Sequence, residues 1–156
     1  MTKKSIDQLI SLTKKKKQLL DNIINITKRQ TGQIEKENME GLDMSLNKKD
    51  NIIKQIDKLD REFLEVFSQV KKAHSVEDIN QLDIEEYPNL KELKEVVQEV
   101  ASTLLAISMI DKENSYSIKR KLEKTKLELR NIKKGKKAYK GYNTKTTESM
   151  LIDEKK

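Results

Sequence analysis

One histidine, no cysteine and four tyrosines are spread over the 156 residues of this chain. His74 stands beside Ser75 in a stretch without helical pattern, where a solvent-exposed loop histidine is expected. With no thiolate and no second imidazole, a transition-metal centre would have to be built almost wholly from carboxylates. The paired acids Glu85-Glu86 and Asp153-Glu154 read as surface features. Gly135-Lys136-Lys137 lacks the earlier glycine and the Ser/Thr of a phosphate-binding loop, and Gly32 and Gly41 lie too far apart to form one. No nucleophile comes with a base and an orienting group. The expectation is a non-enzyme with no catalytic residue, no cofactor and no metal.

What remains is binding chemistry, and its groups collect near the C-terminus. Residues 133–156 hold Gly135, Gly141, Tyr139 and Tyr142, with eight Lys against Glu148, Asp153 and Glu154, a balance of +5. The other 132 residues carry 25 basic and 23 acidic groups, so most of the net +7 lies in this segment. A nearly neutral body argues against a continuous basic face for nucleic acid, although a basic tail binds polyanions nonspecifically. No apolar run approaches the roughly 20 residues needed to span a bilayer. The basic start MTKKSIDQLISLTKKKKQLL has no apolar signal region. A soluble, cytoplasmic protein without membrane insertion is expected.

The elements that must position these groups are helices. A chain that is 38% charged and 35% hydrophobic, with one Pro and no Trp, suits long amphipathic helices better than sheet. Ser5-Ile6-Asp7-Gln8 has capping-box form. Behind it Ile6, Leu9, Leu12, Leu19, Leu20, Ile23, Ile24, Ile26 and Ile34 predict a helix over about 5–36. The four lysines 14–17 read as a solvated turn whose stems lie along the seam. Gly32 weakens the helix end, and Asn38 offers the next N-cap.

Met39, Leu42, Leu46, Lys49, Ile53, Ile56, Asp60, Phe63, Phe67 and Val70 keep a heptad through a second helix over 39–72. Lys49 and Asp60 on that seam call for bundle edges, solvent or polar partners on another helix. The two Phe read as core. Between 72 and 87 the pattern breaks. Residues 75–79 can make one capped turn, and Leu82 and Ile84 are expected to close the bundle end. Pro88 suits the first turn of a long third helix over 88–132. Its inward residues are Leu90, Leu93, Val97, Val100, Leu104, Ile107, Ile110, Ile118, Leu122, Leu129 and Ile132, thin around Asp111 and Asn114.

The fold class expected is therefore all-α: an antiparallel three-helix bundle or coiled coil over 1–132, with a long third helix and a flexible basic tail over 133–156. A third helix longer than its partners leaves Ile118, Leu122, Leu129 and Ile132 partly uncovered, and exposed apolar stripes mark interaction surfaces.

Four stretches together carry a resemblance: SIDQLISLTKKKKQLLDNIINITKRQ, KKDNIIKQIDKLDREF, DIEEYPNLKELKEVV and GKKAYKGYNTKTTESMLIDEKK. Nearly the whole chain resembles the FlgN family of flagellar export chaperones in its clostridial-type form. The resemblance implies a small cytoplasmic helical protein that binds C-terminal helical segments of hook-filament junction proteins. It would keep them soluble and deliver them to the export gate of the flagellar type III apparatus. The residues expected to bind cargo are Ile118, Leu122, Leu129 and Ile132. A tyrosine in the family's C-terminal segment contacts the gate, and Tyr142 matches it best, with Tyr139 second. The small-acidic-glycine run that usually follows that tyrosine is missing here. Two alternatives stay open: a FliT-type chaperone of the filament cap protein, and a homo-oligomeric coiled-coil scaffold. A homodimer is also admitted when the chain is free of cargo.

Overall fold

The computed structural model describes residues 2–146, with side chains for 2–139. Three helices account for nearly all of them: α1 (Thr2–Glu35), α2 (Met39–His74) and α3 (Leu90–Thr146), with a 3-10 turn at Ile79–Gln81. No strand occurs among the described residues, and the chain is an all-α helical bundle. Contacts divide it into Met1–Asn114 and Ser115–Lys156, so α3 contributes to both units.

In the first unit α1 and α2 run antiparallel, and side-chain bonds fix the register. Lys16 Nζ meets Asp60 Oδ1 at 2.9 Å, Lys49 Nζ meets Gln30 Oε1 at 2.9 Å, and Ser45 Oγ donates to Gln33 Oε1 at 2.9 Å. The start of α3 runs parallel to α1, with Lys14 Nζ on Glu92 Oε1 at 2.7 Å and Thr31 Oγ1 on Asn114 Oδ1 at 2.7 Å. Near the interhelix loop, Ile6, Leu9, Val70, Leu82, Leu90 and Leu93 form one core cluster. Phe63 and Phe67 pack against it, stacked with centroids 5.8 Å apart, as core rather than a ligand box. Leu20, Ile23, Ile56, Val100 and Ile107 form a second cluster. Beyond it the interior turns polar: Lys49 also reaches Asp111 Oδ1 at 3.1 Å, and Asn114 Nδ2 donates to Thr27 O at 3.1 Å. The two polar residues on the α2 seam thus take polar partners on other helices.

The α1–α2 connection is short because both ends are capped locally. Glu37 takes a left-handed φ of 55°, and Asn38 N returns to Gln33 O at 2.8 Å. Asn38 Oδ1 then accepts from Gly41 N at 3.0 Å, which is the expected N-cap. A Cβ on Gly41 would come within 2.5 Å of Asn38 Nδ2, so the cap takes glycine there.

Five expectations need correction. On α2, Met39, Leu46 and Ile53 of the expected seam are exposed, and the buried face runs through Leu42, Ser45, Lys49, Ile56, Val66 and Val70. Helix α1 starts at Thr2, so the Ser5 capping box lies inside it and is not used. Tertiary bonds hold the first turn instead: Asn89 Nδ2 donates to Lys3 O and Asp7 Oδ1, and Thr2 Oγ1 lies 2.7 Å from His74 Nε2. Among the loop residues Leu82 is buried but Ile84 is exposed, and the capped turn is the 3-10 turn with Asp78 as its N-cap. On α3, Val96 is buried while Val97 and Leu104 are 44% and 45% exposed. Val96 lies one turn from Glu92, on the flank α1 covers. The α2 flank closes less tightly and leaves a cleft of about 190 Å³ lined by Leu12, Leu59, Phe63 and Val97. Finally, α3 begins at Leu90, after a turn in which Lys91 N bonds Pro88 O at 3.3 Å, and continues past Ile132 to Thr146. Gly135 sits inside it at a cost of about 1 kcal/mol relative to alanine, and no proline follows Pro88 to stop the helix. The first part of the expected tail is therefore helical, and residues 147–156 lie outside the described ones.

Candidate functional site

The residues that could perform acid–base or metal chemistry are spread apart. His74 is the last residue of α2 rather than an exposed loop residue. It is half-buried, bonded to Thr2 and edge-on to Tyr87 with centroids 5.5 Å apart, so its ring helps close the bundle end. Of the four consecutive lysines, Lys14, Lys16 and Lys17 pair with Glu92, Asp60 and Asp21, which leaves no built anion site. The hydrogen bond and charge of Glu92 raise the pKa of Lys14, whose side chain is exposed. Among the described residues no three His, Asp or Glu side chains gather as a metal site, and no helix is long and apolar enough to cross a membrane.

The arrangement that stands out is in the second unit, on the part of α3 from Ser115 onward. Ile118, Leu122, Leu129 and Ile132 are all exposed, from 41% at Ile118 to 62% at Ile132. At about 100° per residue their spacings of four, seven and three place them within an arc of about 80°. Thr125 falls in the middle of this stripe, and its hydroxyl donates to Lys121 O at 3.0 Å within the same helix. No residue from 115 to 139 is buried. Leu127 and Tyr116 are exposed on the opposite side, the latter with the Arg120 guanidinium 5.7 Å from its ring.

A narrow a/d-type seam of this kind is the half-interface of a helix pair. Fully burying one Leu or Ile is worth about 1.5–3 kcal/mol, so four offer a gross gain of several kcal/mol against the cost of association. Tyr139 is exposed and sits one heptad beyond Ile132, nearly in line with the stripe. Tyr142 belongs to the same helix, and its side chain lies outside the described residues. No break in α3 separates the four stripe residues from the two tyrosines.

One set of residues was missed in the sequence. Lys119, Lys126 and Lys133 recur every seven residues and form one edge of the stripe. Their spacing was readable, but dividing the charge at residue 133 hid it. From 115 to 139 there are ten basic side chains and two acidic ones, Glu123 and Glu128, a balance of +8.

No curated protein and no solved structure matches this chain. A family model described as FlgN protein matches residues 1–149, almost the full length, and the chain belongs to the FlgN family.

Proposed function

We propose that this protein is a cytoplasmic chaperone of flagellar type III export. It holds C-terminal helical segments of hook-filament junction proteins on Ile118, Leu122, Leu129 and Ile132, keeps them soluble and hands them to the export gate. Tyr142 makes the gate contact, with Tyr139 second. The observation that carries this reading is the apolar stripe of the second unit, exposed along a helix in a chain of the FlgN family. An amphipathic helix laid along such a seam is a recurrent mode of peptide capture. The chain then acts by binding and release, with no bond made or broken.

Pull-down of the C-terminal segments of junction proteins from the same host tests it. Replacing Leu122 and Leu129 by Asp should abolish capture while leaving the helical circular dichroism intact, and undiminished capture would refute the assignment. Truncation after Lys134 keeps the stripe and removes both tyrosines, so cargo binding should persist while export falls. Loss of cargo affinity on truncation would place the last turns of α3 in the cargo site instead.

A further inference from the structure

The stripe has a charged border, and that border discriminates among occupants. Lys119, Lys126 and Lys133 line one edge, and among the described residues none of the three is in an ion pair. A second copy fits poorly. Paired antiparallel, this edge would face itself. Paired parallel, it would face the edge carrying Lys121 and Glu128, one mismatch against one match, with +8 set against +8 overall. A lipid surface wants a broad apolar face rich in bulky residues. Here the arc spans only about 80° and Thr125 interrupts it. Nucleic acid would use the charge and leave the apolar stripe in water.

We propose that the stripe takes an acidic amphipathic helix of another protein. Carboxylates on one side of that helix lie along Lys119, Lys126 and Lys133, and a polar residue on its seam faces Thr125. This rests on the cargo-binding reading above and gives the cargo segment its chemistry. The apolar seam supplies affinity, and the lysine edge supplies orientation and discrimination.

The test uses the full chain and two designed helical peptides of about three heptads. Both carry the same Leu/Ile seam, one with Glu and the other with Lys at the flanking positions. Fluorescence anisotropy should show the Glu peptide binding at least about tenfold tighter, with the gap narrowing as salt rises. The triple variant K119E/K126E/K133E, checked for unchanged helicity, should reverse the preference. Equal affinity for the two peptides, or an unchanged preference in the triple variant, overturns the proposal. If Leu122→Asp with Leu129→Asp abolishes peptide binding while the lysine reversal changes nothing, the stripe stands as a cargo site and only its acidic selectivity fails. If that double substitution leaves peptide binding intact, both readings fail. A dimer in light scattering that Leu122→Asp dissociates would give the stripe to a second copy. Neither peptide binding, with short duplex DNA or anionic vesicles retained by the lysine edge, would give it to a polyanion.

Discussion

The polar end of the first unit allows a quantitative test of how the bundle is held. Lys49 is only 9% exposed, and its ammonium lies 2.9 Å from Gln30 Oε1 and 3.1 Å from Asp111 Oδ1. Replacing it by methionine keeps most of the stem and removes the charge. The consequences differ at the two partners. Gln30 is 4% exposed, so its carbonyl becomes a buried acceptor without a donor, at about 1–3 kcal/mol. The Asp111 side chain is 46% exposed and rehydrates, so that ion pair contributes at most about 1 kcal/mol. Lys49→Met should therefore destabilise by about 1–3 kcal/mol, nearly all of it through Gln30. Urea unfolding followed by circular dichroism should show a lower midpoint with an unchanged slope. The discriminating variant is Gln30→Leu combined with Lys49→Met, in which both buried polar ends are gone. Its cost should fall to no more than the roughly 1 kcal/mol of the lost Asp111 pair, because apolar replacement of Lys49 and Gln30 removes the desolvation penalty along with their bond. A Lys49→Met midpoint equal to the parent, or single effects that simply add in the double variant, would refute this account of the polar end.

Other substitutions probe the caps and the flanks. Gly32→Ala should stabilise α1 by about 0.5–1 kcal/mol, since an added Cβ meets nothing within 4 Å and the helix continues to Glu35; a lower melting temperature would contradict this. Asn38→Ala should cost about 1 kcal/mol through loss of the α2 cap, and Gly41→Ala should cost a similar amount by displacing the same side chain, so the two together should be less than additive in urea. Val96→Ala should destabilise by about 1–3 kcal/mol and Val97→Ala by clearly less, and the reverse order in the same assay would mean that the covered flank of α3 is misassigned.

Much of the bundle was legible because apolar spacing records which helix face is dry. It recorded α1 closely and, on α2, the demand that Lys49 and Asp60 find polar partners, although Met39, Leu46 and Ile53 of the expected seam are exposed. It did not name those partners, Gln30 with Asp111 and Lys16, because they lie on other helices and apolar spacing does not give the register of α1 and α3 beside α2. The start of α1 was misread for a related reason. A local capping signal at Ser5 lost to bonds from Asn89 and His74, which are distant in sequence. Val96 and Val97 are alike in residue type, and only the position of α1 decides which is covered. The end of α3 lies beyond the expected one because the apolar stripe that marks a dry face ends at Ile132, whereas an exposed helix continues through a lysine-rich run and tolerates glycine at modest cost.

The same misreading moved the charge. Cut at residue 133, the chain looks like a neutral body with a basic tail. Divided where its contacts divide it, Met1–Asn114 carries 19 basic and 21 acidic groups, and Ser115–Lys156 carries 14 basic and 5 acidic groups. The first unit is then slightly negative, at −2, and the second strongly positive, at +9. The distinction changes what the charge can do. Charge on a tail beyond the stripe attracts any polyanion and selects little. Charge fixed at heptad spacing along the edge of an apolar seam acts on whatever fills that seam. It can therefore set the direction of the bound helix and reject one with the wrong border. On the proposed reading affinity and selectivity reside on one face of one helix, so charge reversal at Lys119, Lys126 and Lys133 should change which helix binds rather than whether any helix binds.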